Sequence, residues 1–540
     1  MTAVPQGMTG FDPDGLNALA TSLASAQYDI DDAAARLRRA LESLGLPVAP
    51  TVALREVSKW ISEAKPAIER RRDLAFAATP LIRDPHNRTV NIKNDTIDLF
   101  PTQHDADTTA RRIAAELRGY LQSHPGDEPD CRLIPDLQAY AGDPSFASAL
   151  VGLLKPDELR RIPLLLDQRL HDAGQSSIRE QDKFASLIKE NGVIVSALGT
   201  ALAAATRSGG GLPCGYEDAL LEGVDDPLKA YGLSNLLRSG TYDTKFLAHA
   251  ATVVSAADKR HKDDSHWTGF EAGFTGANEY QMSAGLPNAS YGDPMTGLMD
   301  ALSHNPVAAQ QFITTDNLKY LLTERPWLDS GTAMGKALVA ATTTFRDHAP
   351  DVNGKHSRGY VSAELASQAL TLLAEKGDYT SGFRTAVATM LGAYHLDTSR
   401  AIRAGKVGIP GVNKDALSDA NEPIPYGIIL NKYSLTKILK ESFKEPDSFK
   451  LLVSSISSYD LTALGNDAKV LATQVRDSAL PPNGALKSAM TSDSGERFIA
   501  DAAYLAADVG FLTELLCQCK NDDGVQKYEA QQQQLNYRAR

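Results

Sequence analysis

The sequence predicts an all-α protein: a long N-terminal antiparallel helical hairpin, then a large multi-helix body with at most one small β-hairpin. Three observations carry this. Apolar residues recur at helical steps along most of the 540 residues. The first eighty residues hold two heptad-spaced stripes separated by a Gly-Pro break. Helix starts recur as an Asp, Asn or Glu followed by Pro, a pairing that caps the first turn and places Pro where its missing N–H is harmless.

The first stripe runs through Leu16, Leu19, Leu23, Ala26, Ile30, Ala33, Leu37, Ala40 and Leu44. The second runs through Leu54, Val57, Ile61, Ala64, Ile68 and Ala75, with Arg71 as its one polar position. Alternating steps of three and four bury one side of a helix against a partner and leave its charged faces wet. Gly45-Leu46-Pro47 turns the chain between the two helices, and Pro66 predicts a kink in the second. Residues 1–85 are therefore read as one hairpin unit. Outer apolar residues such as Val52 and Phe76 remain to be covered.

Beyond the hairpin, Thr89-Val90-Asn91-Ile92 and Thr96-Ile97-Asp98-Leu99 alternate around Lys93-Asn94-Asp95, the pattern of a small β-hairpin at 88–100. Helical spacing resumes at Asp107, with Ile113, Leu117, Tyr120 and Leu121 on one face. Asp143-Pro144, Asp293-Pro294, Asn305-Pro306 and Glu445-Pro446 then open successive helices. Val193 to Ala205 is short of a bilayer span and rich in small residues; it reads as a central helix enclosed on all sides. Residues 86–520 form the body, and 521–540 a polar tail containing Gln531 to Gln534.

Net charge is −12, which excludes the basic surface that nucleic-acid binding needs. The basic run Arg70-Arg71-Arg72 is flanked by Glu69 and Asp73 and reads as a solvated helix end. Four cysteines in 540 residues make no disulfide framework. Residues 1–30 lack a basic start followed by an apolar block, so neither a secretory signal peptide nor membrane insertion is expected.

Motifs for chemistry are sparse. Gly331 to Ala337 resembles a phosphate-binding loop, but it is one residue short, has Ala for the metal-binding hydroxyl and follows no strand. His261-Lys262-Asp263-Asp264-Ser265-His266 brings two imidazoles and two carboxylates together without regular ligand spacing, and reads as a solvated loop. Tyr394-His395-Leu396-Asp397 has no nucleophile beside it, and His395 reads as structural. No catalytic residue, cofactor or metal site is assigned. Tyr-x-x-x-acid pairs, the form of a secretion tag, occur at Tyr28/Asp32, Tyr320/Glu324, Tyr360/Glu364 and Tyr504/Asp508, and only the first lies on the hairpin. Tyr28, Asp32 and Trp60 are the candidate partner-binding residues.

The segment Val57-Ser58-Lys59-Trp60-Ile61 followed by Glu69 to Ala75 resembles hairpins of the WXG/ESAT-like superfamily of actinobacterial proteins. The body, with Asp143-Pro144-Ser145-Phe146, Leu154-Lys155-Pro156, Leu159 and Gly292 to Leu302, is similar to an uncharacterised actinobacterial helical family. The resemblance implies association with a type VII secretion machine, whose ATPase engages a helical hairpin. It also implies a protein that is cytoplasmic before signal-peptide-independent secretion. The expected function is a non-enzymatic helical interaction or carrier protein, a secretion-associated substrate or scaffold. Its expected partners are proteins: a second copy, a small helical protein, or that ATPase. The alternatives are a hydrolase built on the 256–294 loop and a cytosolic helical scaffold unrelated to secretion.

Overall fold

A computed structural model describes residues 8–44, 47–80, 89–93, 96–97, 99–100, 102–176, 181–209, 211–262, 267, 293–404, 409–414, 425–478, 480 and 482–523. The protein is all-α, with two small two-stranded antiparallel sheets. It falls into two compact units, Met1–Ala308 and Ala309–Arg540. The division lies inside the stretch expected to be one body.

The first unit opens with the hairpin. Helix α1 (Pro13–Ser43) starts at Asp12, whose carboxylate accepts from the backbone N–H groups of Asp14 and Gly15. Helix α2 (Pro50–Ala78) returns along it. The expected turn at Gly45 and Leu46 lies outside the described residues. Pro66 sits within continuous helix α2, part-buried.

The seam is displaced from the predicted one at several positions. Leu16, Ala20, Leu23, Gln27, Ile30, Ala34 and Leu41 on α1 and Thr51, Leu54, Ser58, Ile61, Lys65 and Ile68 on α2 are buried or half-buried along it, and the predicted positions Ala26 and Ala64 are half-buried at its edge. Leu19 and Val57, expected in the seam, are exposed. A heptad stripe can continue by three-then-four or four-then-three steps, and both satisfy the spacing. Ala20, Ala34 and Ser58 are small, and burying them brings the two backbones close.

Among the described residues, the strand of the hairpin expected at 88–100 pairs elsewhere. Strand β2 (Val90–Lys93) pairs antiparallel with strand β1 (Met8–Phe11), in the register Met8 to Lys93 and Phe11 to Val90. Residues 96–97 are helical instead. Asn94 and Asp95, the expected turn, lie outside the described residues. Alternation identifies a strand but not its partner, and here the partner is some eighty residues away in sequence. Phe11, Leu16, Val90 and Ile97 pack around buried Leu74, Ala75 and Ile92, closing the hairpin's base.

One buried ion pair joins that base to the helices beyond. Arg70 donates from Nη1 and Nη2 to both carboxylate oxygens of Asp143, at 3.0 and 2.8 Å. It also donates to the Thr96 carbonyl and lies over the Phe100 ring. Arg70 is 2% exposed, so the arginine run is not a solvated end at its first member. Asp143 also caps helix α5 (Pro144–Leu154) through the N–H groups of Ser145 and Phe146.

Between them lie α3 (Gln103–Gln122) and α4 (Leu133–Tyr140). Then come α6 (Pro156–Ser176), α7 (Gln181–Arg207), α8 (Tyr216–Leu221), α9 (Pro227–Leu237), α10 (Thr244–Arg260) and α11 (Pro294–Ser303). Helix α9 is buried without interruption from Ala230 to Leu237. Two glycines set its approach to its neighbours. A Cβ on Gly232 would lie 2.1 Å from the Arg160 carbonyl oxygen of α6, and one on Gly297 of α11 would lie 1.9 Å from the Ser234 carbonyl oxygen of α9. Helix α7 is long and apolar enough to cross a membrane, but most of that stretch is buried in the unit. Its enclosure is incomplete: Val193, Ser196 and Thr200 are half-buried along one edge.

Asp-Pro and Asn-Pro helix starts behave as predicted. Asp293 accepts from the Met295 N–H, and Asn305 accepts from that of Ala308. Glu445, one methylene longer, makes no capping hydrogen bond.

The next helices are α12 (Pro306–Phe312), α13 (Thr315–Lys319), α14 (Thr332–Thr343), α15 (Arg358–Lys376), α16 (Ser381–Ala393), α17 (His395–Ala404), α18 (Lys432–Ser442), α19 (Pro446–Asp477) and α20 (Pro482–Met490). In the second unit α14 packs on α16, and α16 on α18 and α19. Helix α19 pairs with α21 (Asp493–Asp523). The phosphate-loop look-alike is the entry to α14, where Gly331 lies against the Phe383 ring. Sequence reading treats 404–425 as loop, yet β3 (Gly411–Asn413) pairs there with β4 (Gly427–Ile429). Asp397 holds this sheet, accepting from the Ile428 N–H at 2.9 Å and from Asn413 Nδ2 at 3.1 Å. His395 is part-buried, with Nδ1 3.3 Å from the Gly392 carbonyl.

Two predictions follow from these buried groups. Asp143→Ala strands the Arg70 guanidinium and is expected to lower unfolding free energy by about 3–5 kcal/mol. Asp143→Asn costs less because the amide still caps α5. Urea unfolding of full-length protein checks this, and a loss below about 1 kcal/mol contradicts it. Burial holds the His395 imidazole below its ordinary value of 6.5. The unfolded chain therefore takes up a proton as pH falls through 6.5 while the folded chain does not, and stability is lost on the acid side. His395→Gln should show a smaller melting-temperature drop than wild type between about pH 7.5 and about pH 5.5; equal drops would refute it.

Candidate interaction surface

The shifted seam creates a second apolar surface on the hairpin. In an antiparallel pair, the residues just before the seam's first heptad position lie on one common flank of both helices. With Ala20 and Ala34 in the seam, those residues on α1 are Leu19, Ala26, Ala33 and Ala40. With Ser58 and Lys65 in the seam of α2, they are Val57, Ala64 and Arg71. Ala53, Trp60 and Ala67 border the same flank of α2, so Ala53, Val57, Trp60, Ala64 and Ala67 run at steps of four and three. A helix with two apolar stripes buries one and offers the other. Trp60 is 61% exposed and Val57 46%.

Of the three candidate partner-binding residues, Trp60 lies on this flank. It sits inside continuous helix α2, and Ser62 is helical too, so no W-x-G turn is formed. Tyr28 is 75% exposed but follows Gln27, which places it on the opposite flank. Asp32 makes an i,i+4 ion pair with Arg36, whose hydrogen bond pulls its carboxyl below the usual range. The structure therefore sets Trp60 apart from Tyr28 and Asp32.

The other Tyr-x-x-x-acid pairs are placed differently. Tyr320 and Glu324 span a π-helical turn. Asp508 is buried, accepting from Ser399 with Arg403 beside it, and its burial pushes the carboxyl up.

For the enzyme reading, most of the 256–294 loop, including His266, lies outside the described residues. His261 stacks on Trp267 with ring centroids 4.9 Å apart, and fully buried Trp267 donates to Asp258 at 2.8 Å. No group of three or more His, Cys, Asp or Glu is placed to hold a metal among the described residues. Two clefts open in the first unit. One, of about 630 Å³, runs along α7 past Ile188, Gly192, Val193 and Ala197, with Lys189 and Gln138 at its edge. The other, of about 500 Å³, is lined by Lys155, Asp157, Glu158, Arg161 and Glu222. Glu158 is already engaged by Arg118, and neither lining contains a histidine or cysteine.

No family model, curated protein or solved structure matches the chain.

Seam and flank should separate in a stability series. Ile61→Ala, in the seam, is expected to cost about 2–4 kcal/mol. Trp60→Ser, on the flank, should change stability by no more than about 0.5 kcal/mol. Thermal unfolding followed by circular dichroism reads both, and the reverse ranking would place Trp60 in the core.

Proposed function

We propose that the protein is a non-enzymatic helical interaction or carrier protein whose N-terminal hairpin docks protein partners. Its place is with a type VII secretion machine, as substrate or scaffold, and its partners are a second copy, a small helical protein or the secretion ATPase. The observation that carries this is the flank of Leu19, Ala33, Val57 and Trp60. Apart from Arg71 it is apolar, and Leu19, Ala33, Val57 and Trp60 stand exposed outside the seam that holds the two helices together. Contiguous exposed apolar surface on a soluble domain marks an interaction site, and a ridge of alternating large and small residues suits a second helix. Exposed Trp is a frequent anchor of such contacts.

A photo-cross-linking residue at position 60 of the full chain, compared with one at 28, tests the reading in a type VII-competent host. Position 60 is expected to give one discrete adduct with a helical protein or a second copy, lost in Val57→Asp. Absence of any adduct, or equal labelling from both positions, would overturn docking through this flank. Unchanged export after deletion of the type VII ATPase would overturn the secretion assignment.

A further inference from the structure

Helix α7 is left partly open where Val193, Ser196 and Thr200 are half-buried, and the cleft of about 630 Å³ runs along that edge. Gly192, Val193 and Ala197 line it, with Ala141 at the end of α4. Ser196 and Thr200 also line it, yet their hydroxyls are already partnered. Thr200 Oγ1 donates to the Ser196 carbonyl at 2.9 Å, and the Ser196 and Ser239 hydroxyls meet at 3.0 Å. Such a lining asks a ligand for apolar surface and few hydrogen bonds. Among the described residues, Lys189 is the one ionisable group of the cleft; it is exposed and pairs with no acid. The neighbouring Glu190 accepts from Ser186 at 2.9 Å.

Dimensions select the occupant. From Ala185 to Thr200 the cleft follows α7 for about 22 Å at the helical rise per residue. Its 630 Å³ spread over that length leaves a cross-section of about 30 Å². A helix about 10 Å wide needs about 80 Å², so a docked helix would insert side chains only. A methylene chain, about 5 Å across at van der Waals contact, needs about 20 Å². One such chain fits lengthwise, and the two of a diacyl lipid do not. Lys189 to Thr200 spans about 16 Å, against about 15 Å for a membrane acyl chain, half of the hydrocarbon core.

We infer that this cleft binds one long-chain fatty acid, with its carboxylate at the Lys189 ammonium and its chain along Gly192, Val193 and Ala197 toward Thr200. Apolar burial supplies most of the affinity, and the lone cation selects a single negative charge at one end of the chain. Among the described residues no part of the hairpin lines the cleft, so its test is separate from that of docking.

Fluorescence titration of the full-length protein with cis-parinaric acid tests it. Saturable binding of one molecule per chain is expected, displaced by dodecanoate but not by dodecyltrimethylammonium, which has the same chain and the opposite charge. Lys189→Glu should weaken binding at least about tenfold, the loss of one charge-assisted contact. Val193→Trp, which fills the cleft from a half-buried position, should abolish saturable binding with helicity by circular dichroism unchanged. No saturable binding, equal displacement by the two amphiphiles, or binding indifferent to both substitutions would each overturn it. So would a discrete protein adduct from a photo-cross-linking residue at position 193 in the producing cell, which would give the cleft to a partner protein.

Discussion

The Arg70–Asp143 pair is the constraint on which the rest of the hairpin's geometry depends. Both groups are nearly sealed from water, and two buried charges offset their desolvation through close contact and added hydrogen bonds. Here there is a bidentate guanidinium–carboxylate contact, a third bond to the Thr96 carbonyl and a carboxylate that also caps α5, while the buried Arg70 Nε has no partner. Such a node fixes the end of α2 relative to α5, and with it the rotation of the hairpin about its own axis. Rotation decides which side of the hairpin faces the rest of the unit and which faces solvent, while the seam decides which stripe of α2 faces α1. The exposed flank is thus a consequence of the anchor as much as of the seam.

The all-α class and the hairpin were legible in sequence because apolar spacing is a direct image of burial. Asp-Pro capping was legible because it is local chemistry between neighbours. What escaped was non-local. Steps of three and four fit two seams equally, and only the partner helix decides that Ala20 and Ser58 turn inward while Leu19 and Val57 turn out. The strand at Val90–Lys93 was visible, but its pairing with Met8–Phe11 was not. Arg70 looked like any charged residue near a helix end, and its partner lies 73 positions away. Asp397, noted only as a neighbour of His395, holds a sheet that the sequence pattern did not announce.

For the candidate surface, sequence reading found Trp60 but grouped it with Tyr28 and Asp32. Heptad position separates them, since residues just before and just after a seam position fall on opposite flanks. The signal that would have found the flank is the run Ala53, Val57, Trp60, Ala64, Ala67, a second helical stripe on a helix that needs only one for its partner. A hairpin so built can hold itself together and still present apolar surface, which is what a recognition element requires. The proposed function rests on that surface.

The most direct measurement is hydroxyl-radical footprinting of the intact protein, purified and inside the producing cell. If the flank is a docking surface, Trp60 is oxidised readily in the purified protein and protected in the cell, while Tyr28 stays reactive in both. Equal reactivity of Trp60 in the two settings, or protection of Tyr28 as strong as that of Trp60, would contradict the account.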